Sequence, residues 1–127
     1  MNPLRLSARA RADLLRARAQ AQSAEACGLL VGLRSVDESL VLRAVRVRNR
    51  ATGERFSLCP GGWMRVERAA RRQGLDVLGP WHSHPDQPAI PSELDLAHGW
   101  RERPNLIVGT DGIRGWCDQR ELPVRPA

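Results

Sequence analysis

The chain has 127 residues, 42% hydrophobic and 27% charged, with 20 basic against 14 acidic side chains and a formal net charge of +6. That length supports one hydrophobic core rather than two, and the composition excludes wholesale disorder, collagen-like sequence and coiled coil. No window approaches the roughly 18–20 apolar residues that cross a bilayer, and residues 1–22 lack an apolar secretory region, so a cytoplasmic protein with no membrane partner is expected. The net charge invites a polyanion reading. All 20 basic residues are arginine, however, and tyrosine is absent. This is the signature of GC-rich coding, so the charge by itself assigns no nucleic-acid partner. Cys27, Cys59 and Cys117 are odd in number and widely separated, which predicts reduced thiols rather than a disulfide framework.

Leu6, Ala10, Leu14, Ala17 and Ala21 recur at spacings of four, four, three and four, which predicts an amphipathic helix over about 7–22. Its basic, acid-poor composition also suits a transit peptide, but Ser23-Ala24-Glu25 leads straight into the next element without a linker. The apolar run Cys27 to Leu33 between Gly28 and Gly32 reads as a buried strand, and Leu40 to Asn49 as a second strand covered on one face. Ala51-Thr52-Gly53 reads as a turn and Phe56 to Leu58 as an edge strand. Pro60-Gly61-Gly62 opens a helix over about 63–73, with Trp63, Val66 and Ala70 inward, Arg65, Arg68 and Arg72 outward, and Gly74 as its stop. A strand over 75–84, a proline-rich loop and a helix over about 92–100 follow. Two last strands, 105–109 and 113–118, join at Asp111-Gly112, a dipeptide favoured in tight hairpins, and residues 122–127 are expected to be a flexible tail. The interleaving predicts an α/β sandwich, with residues 1–127 as a single domain.

Trp81-His82-Ser83-His84-Pro85 and Ser92-Glu93-Leu94-Asp95 carry the chemistry. Side chains alternate along a strand, so His82 and His84 project to one side while Trp81 and Ser83 project to the other. Ser92 and Asp95, three apart at a helix start, share a face. Two imidazoles and one carboxylate make a three-ligand set with a fourth position open, the arrangement of catalytic rather than structural zinc, and the absence of thiolate favours zinc among common metals.

The spacing H-x-H-x7-S-x2-D, with Glu25-Ala26-Cys27-Gly28-Leu29-Leu30-Val31-Gly32 upstream, resembles the signature of the JAMM (JAB1/MPN/Mov34) metalloprotease family in its small bacterial and archaeal form. The resemblance covers almost the whole chain and implies an MPN-like sandwich of a mixed, curved sheet flanked by helices. It implies that His82, His84 and Asp95 bind one zinc, that Glu25 is the general base, and that Ser92 helps to hold the developing oxyanion. The implied substrate is a peptide or isopeptide bond after the C-terminal Gly-Gly of a ubiquitin-like or sulfur-carrier protein, its tail adding a strand to a sheet edge near the site.

Plainer readings stand beside these. Ser92 also reads simply as the N-cap of the helix carrying Asp95, a role that does not exclude the first. Cys27 reads as a small core residue before a nucleophile, Trp81 as core, Asp86 as a solvated loop residue and His98 as a surface or supporting group. A RadC-like or phage-tail-type metalloprotein is a second reading, though Ser83 stands where RadC-like sequences carry asparagine. A basic nucleic-acid-binding module using Arg65, Arg68 and Arg72 rests on charge surplus alone.

Overall fold

The structure, a computed structural model, describes residues 3–51, 57–98 and 102–127. Among them eight strands form one sheet: β1 (Leu4–Leu6), β2 (Cys27–Arg34), β3 (Ser39–Val47), β4 (Asp76–Ser83), β5 (Asn105–Gly109), β6 (Gly112–Cys117), β7 (Arg120–Leu122) and β8 (Val124–Pro126). Their order is β7-β6-β5-β4-β2-β3-β1-β8. The pairs β4–β5, β1–β3 and β1–β8 run parallel and the others antiparallel, so the sheet is mixed.

Its two ends curl toward each other. A Cβ on Gly115 of β6 would lie 2.8 Å from the Val124 side chain of β8 and 3.2 Å from that of Leu4, so only glycine lets the outer strands approach this closely. Curvature brings Leu4, Leu106, Val108, Cys117 and Leu122 into one core with Leu14, Leu30, Leu78 and Trp81.

The first helix, α1 (Ala8–Ala21), begins at Ser7, whose Oγ accepts from the Ala10 amide at 3.0 Å and donates to the Leu42 carbonyl of β3 at 2.8 Å. One hydroxyl thus caps the helix and docks it on the sheet. The predicted stripe is its inner face: Ala10, Leu14 and Ala17 are buried, and exposed Arg9 and Arg16 lie outside. The second helix, α2 (Pro60–Arg72), packs on β2, β3 and β4, with Gly62 seated over Val47. Gly74 follows its end at φ +70°, as the sequence predicts. The short α3 (Glu93–His98) follows the proline-rich loop.

Several expectations are corrected. The chain from Leu122 is not a frayed tail: β7 pairs with β6, and β8 pairs with β1, a strand that sequence reading missed. The Pro123 carbonyl accepts from the Leu4 amide at 2.9 Å, and the Ala127 amide donates to the Leu6 carbonyl at 3.0 Å. Backbone pairing between chain ends over a hundred residues apart leaves no periodic signal in three-residue strands. The second helix starts at Pro60 rather than Trp63, because proline suits a first turn that needs no intrahelical donor. Among the described residues β4 lies between β2 and β5, and the sheet edges are β7 and β8, so a substrate strand has no free edge on the histidine strand itself. Residues 52–53 of the predicted turn, Phe56 of the predicted edge strand, and Gly99 and Trp100 of the predicted helix lie outside the described residues, while Leu58 makes a single antiparallel bridge to Asn49. No helix among the described residues is long and apolar enough to cross a membrane.

Candidate metal centre

The site forms where β2 and β4 meet. In the antiparallel register Cys27 faces His82. Two further steps along each strand place Glu25 opposite His84, and period-two alternation puts Glu25 and both histidines on one side of the sheet. Glu25, His82 and His84 are buried, at 5%, 3% and 6% exposure. His84 lies just beyond β4, yet its amide donates to the Val108 carbonyl at 2.8 Å, which keeps it in the parallel ladder with β5.

Asp95 arrives from α3. Ser92 accepts from the Asp95 amide through Oγ at 3.0 Å, and the Ser92 amide donates to Asp95 Oδ2 at 2.8 Å. This reciprocal pair is a capping box with aspartate as its acidic member, so the N-cap reading of Ser92 describes the local geometry. The cap uses lone pairs of Oγ; the hydroxyl proton is a separate capability of the same group. Ser92 itself is exposed beside the cluster.

The three nearest atoms of the cluster form a triangle. His82 Nε2 lies 3.1 Å from His84 Nε2, and each lies 3.1 Å from Asp95 Oδ2. Three vertices of a tetrahedron with edges of that length lie about 1.9 Å from its centre, close to the roughly 2.0–2.1 Å of zinc bonds to nitrogen and oxygen. With Glu25 included, one ligand-type atom from each of the four residues lies within 4.8 Å of the others. Two imidazoles and a carboxylate, with a second carboxylate beside them, fit a divalent zinc ion in donor chemistry and in spacing.

Hydrogen bonding and burial set the protonation of the cluster, in opposite directions for the two histidines. His84 Nδ1 sits 2.8 Å from the Pro88 carbonyl, an acceptor only, so Nδ1 carries the proton and Nε2 of the neutral ring turns its lone pair to the cluster. Burial lowers the pKa of His82, against the pull of Asp95, and so favours the neutral ring that a metal requires. Burial also opposes charge on His84, but the Asp95 carboxylate, the Pro88 carbonyl and the Glu25 charge outweigh it and raise its pKa. Burial would raise the Asp95 pKa, yet the adjoining His82 and His84 imidazoles, with the Ser92 amide, hold it far below the ordinary carboxylate range.

Other residues missed by sequence reading support the site. Arg18 of α1 forks onto two consecutive carbonyls, Nε to His84 at 3.1 Å and Nη2 to Pro85 at 2.9 Å. The loop that presents Pro88 is pinned through Ala89, whose amide donates to Asp111 at 2.7 Å and whose carbonyl accepts from the Trp116 indole at 2.8 Å. No spacing rule links these positions to the histidines. Trp81 and Cys27 are fully buried, and Asp86 is exposed, as expected of each. The His98 side chain lies outside the described part of the structure.

Two buried histidines and a half-buried aspartate in a triangle beside a buried glutamate, on a curved mixed sheet flanked by helices, are the architecture that the sequence motifs lead one to expect. Residues 7–120 match the family described as prokaryotic homologs of the JAB domain. The chain belongs to that family. It is 33% identical over 92 residues to a probable TtuB-protein conjugate cleaving protease from Thermus thermophilus, covering 72% of this chain and 60% of that one. It is 35% identical over 98 residues to a desampylase from Pyrococcus furiosus, covering 74% and 66%. The chain thus spans about three fifths to two thirds of the length of these curated relatives. A solution structure of a protein from Desulfitobacterium hafniense superposes with a TM-score of 0.78 at 28% identity, covering 98% of this chain and 94% of that one.

Proposed function

We propose that this chain is a zinc-dependent hydrolase of the JAMM type. It would cleave a peptide or isopeptide bond after the C-terminal Gly-Gly of a ubiquitin-like or sulfur-carrier protein, with residues 1–127 acting as one JAMM/MPN domain. The observation that carries the reading is the 3.1 Å triangle of His82, His84 and Asp95 with Glu25 beside it. The names of the two relatives, a TtuB-protein conjugate cleaving protease and a desampylase, support a protein conjugate as the substrate class. Three free cysteines, two of them buried, suit a reducing cytoplasm.

In this reading His82, His84 and Asp95 hold one zinc per chain. A bound zinc supplies Lewis acidity, lowering the pKa of a water molecule to about 7 and polarising the scissile carbonyl. Glu25 takes the proton of the attacking water and returns it to the leaving amine; its burial keeps that proton from exchanging with solvent. The Ser92 hydroxyl donates to the carbonyl oxygen as negative charge develops there, a bond stronger in the transition state than in the ground state. Glycines in the tail let its backbone pass close to the cluster, where a Cβ would crowd the attacking water.

The test is Glu25→Gln beside His82→Ala, His84→Ala and Asp95→Ala. Glu25→Gln retains zinc by elemental analysis while its kcat on a Gly-Gly-linked carrier conjugate falls about 100-fold or more, and each of the other three loses the metal. Full zinc in the three ligand variants, or undiminished turnover in Glu25→Gln, overturns the assignment. Equal cleavage of peptides lacking small residues overturns the Gly-Gly preference.

A further inference from the structure

The regular ladder of β2 ends at Cys27, which pairs with Val47 on one side and His82 on the other. Extending both registers by two residues puts Glu25 between Asn49 and His84, before the first residue of β2 and level with the chain just past the last of β3. At that point side chains take over from backbone pairing. Asn49 Nδ2 donates to the Glu25 carbonyl at 2.9 Å. The Ala26 amide donates to Ser83 Oγ at 2.8 Å, while the Ser83 amide returns a bond to the Ala26 carbonyl at 2.9 Å. Glu25 and Ala26 are thus gripped from both neighbouring segments.

Both gripping side chains are themselves fixed. Asn49 Oδ1 accepts from the Ala51 and Ser57 amides at 3.0 and 2.9 Å, which sets the plane of its amide and aims Nδ2 at Glu25. Ser83 is wholly buried, on the strand face opposite the histidines, so it reaches the reacting groups only through the Ala26 backbone. Two histidines locked by β4, β5 and the Pro88 carbonyl do not by themselves locate a carboxylate at the fraying end of another strand. The brace does.

We propose that Asn49 and Ser83 are positioning residues that hold the main chain at Glu25 so that its carboxylate stands beside His82, His84 and Asp95. The proposal rests on the general-base reading of Glu25. A reacting group must be held within about 0.5 Å, and a displacement of about 1 Å can cost a factor of about 100. Removing either brace therefore lowers kcat without removing the metal-binding side chains.

The experiment uses Asn49→Asp and Ser83→Ala, each in the wild-type and Glu25→Gln backgrounds. Asn49→Asp keeps the acceptor for Ala51 and Ser57, replaces the donor to Glu25 by an oxygen and adds a negative charge, whereas Ser83→Ala removes its bond to Ala26 without changing charge. Zinc content stays near one per chain, KM on the Gly-Gly conjugate changes less than about twofold, and kcat falls about 10- to 100-fold. In the Glu25→Gln background neither change lowers kcat further, because a brace acting through Glu25 has nothing left to aim. Independently of turnover, hydrogen exchange of the Ala26 amide, followed by NMR, speeds up about 10-fold or more in Ser83→Ala. If Asn49→Asp does not fold, Ser83→Ala carries the test through turnover and exchange.

Equal losses in both backgrounds, or zinc lost in step with kcat, overturn the proposal. Wild-type turnover in both brace variants while Glu25→Gln is inactive overturns it alone and leaves the general-base reading standing. Wild-type turnover in Glu25→Gln removes both.

Discussion

Gly28 gives a sharp test of the packing that brings Glu25 to the histidines. It faces Trp81 across β2 and β4 and Arg46 across β2 and β3. A Cβ at Gly28 would lie 1.9 Å from the Val45 carbonyl oxygen and 2.6 Å from the Trp81 indole nitrogen, which donates to that same carbonyl at 3.3 Å. Ordinary contact begins near 3.4 Å, so Gly28→Ala must part β2 from β3 by about 1.5 Å, far enough to break ladder hydrogen bonds as well as the indole bond. Overpacking a core costs about 1–3 kcal/mol and leaving a buried donor unpaired about 1–3 kcal/mol more. The sum, about 2–6 kcal/mol, is a large share of the roughly 5–15 kcal/mol that holds such a domain folded, and corresponds to a Tm drop of about 8–24 °C at about 4 °C per kcal/mol. Gly74→Ala is the control. Its φ of +70° strains any L residue, but nothing lies within 4 Å of the added carbon, so its cost is confined to about 1–2 kcal/mol of backbone strain. Thermal unfolding followed by near-UV circular dichroism compares the two. A Gly28→Ala Tm at or above that of Gly74→Ala would refute the close approach of β2, β3 and the Trp81 ring.

The thiols differ in a way that alkylation reads directly: burial pushes Cys27 up to about 12, whereas the Gly62 and Gly61 amides at the start of α2, with Arg48 and Arg50, favour the thiolate of Cys59. Mass spectrometry after iodoacetamide at pH 7 finds Cys59 modified first and Cys27 unmodified until the protein unfolds; early labelling of Cys27 contradicts its placement in the sheet. Deleting residues 123–127 removes β8 and uncovers β1 and Gly115, costing about 2–3 kcal/mol in lost hydrogen bonds and contacts; an unchanged urea midpoint refutes the strand.

The chain's local patterns carried much of this. The 3.6-residue stripe of α1, the alternation in β3, the glycine after α2 and the Asp111-Gly112 hairpin each depend on contacts among near neighbours, and each lies in the structure within a few residues of its predicted place. The His82, His84 and Asp95 cluster was legible for the same reason. A strand's period of two and a helix's first turn fix relative directions over 14 residues, and the motif spacing supplied what those rules leave open. The resemblance, not the local physics, singled out Glu25, because nothing within its own stretch points to a histidine 57 residues later.

Tertiary structure decided what depends on contacts without a sequence period. It paired β8 with β1, curled the sheet until Val124 met Gly115, and kept β4 away from both edges. It also recruited Arg18, Asn49, Ser83 and Pro88, whose side-chain and carbonyl bonds reach the site from four different segments. Hydrogen bonds of this kind are specified by where two remote pieces of backbone come to rest, and a single polar residue in a strand end or a loop looks the same in sequence whether or not it finds such a partner. The residue types of the cluster and their order are therefore written in the chain, whereas the alignment of Glu25 against them exists only once β2, β3 and β4 have paired in one register.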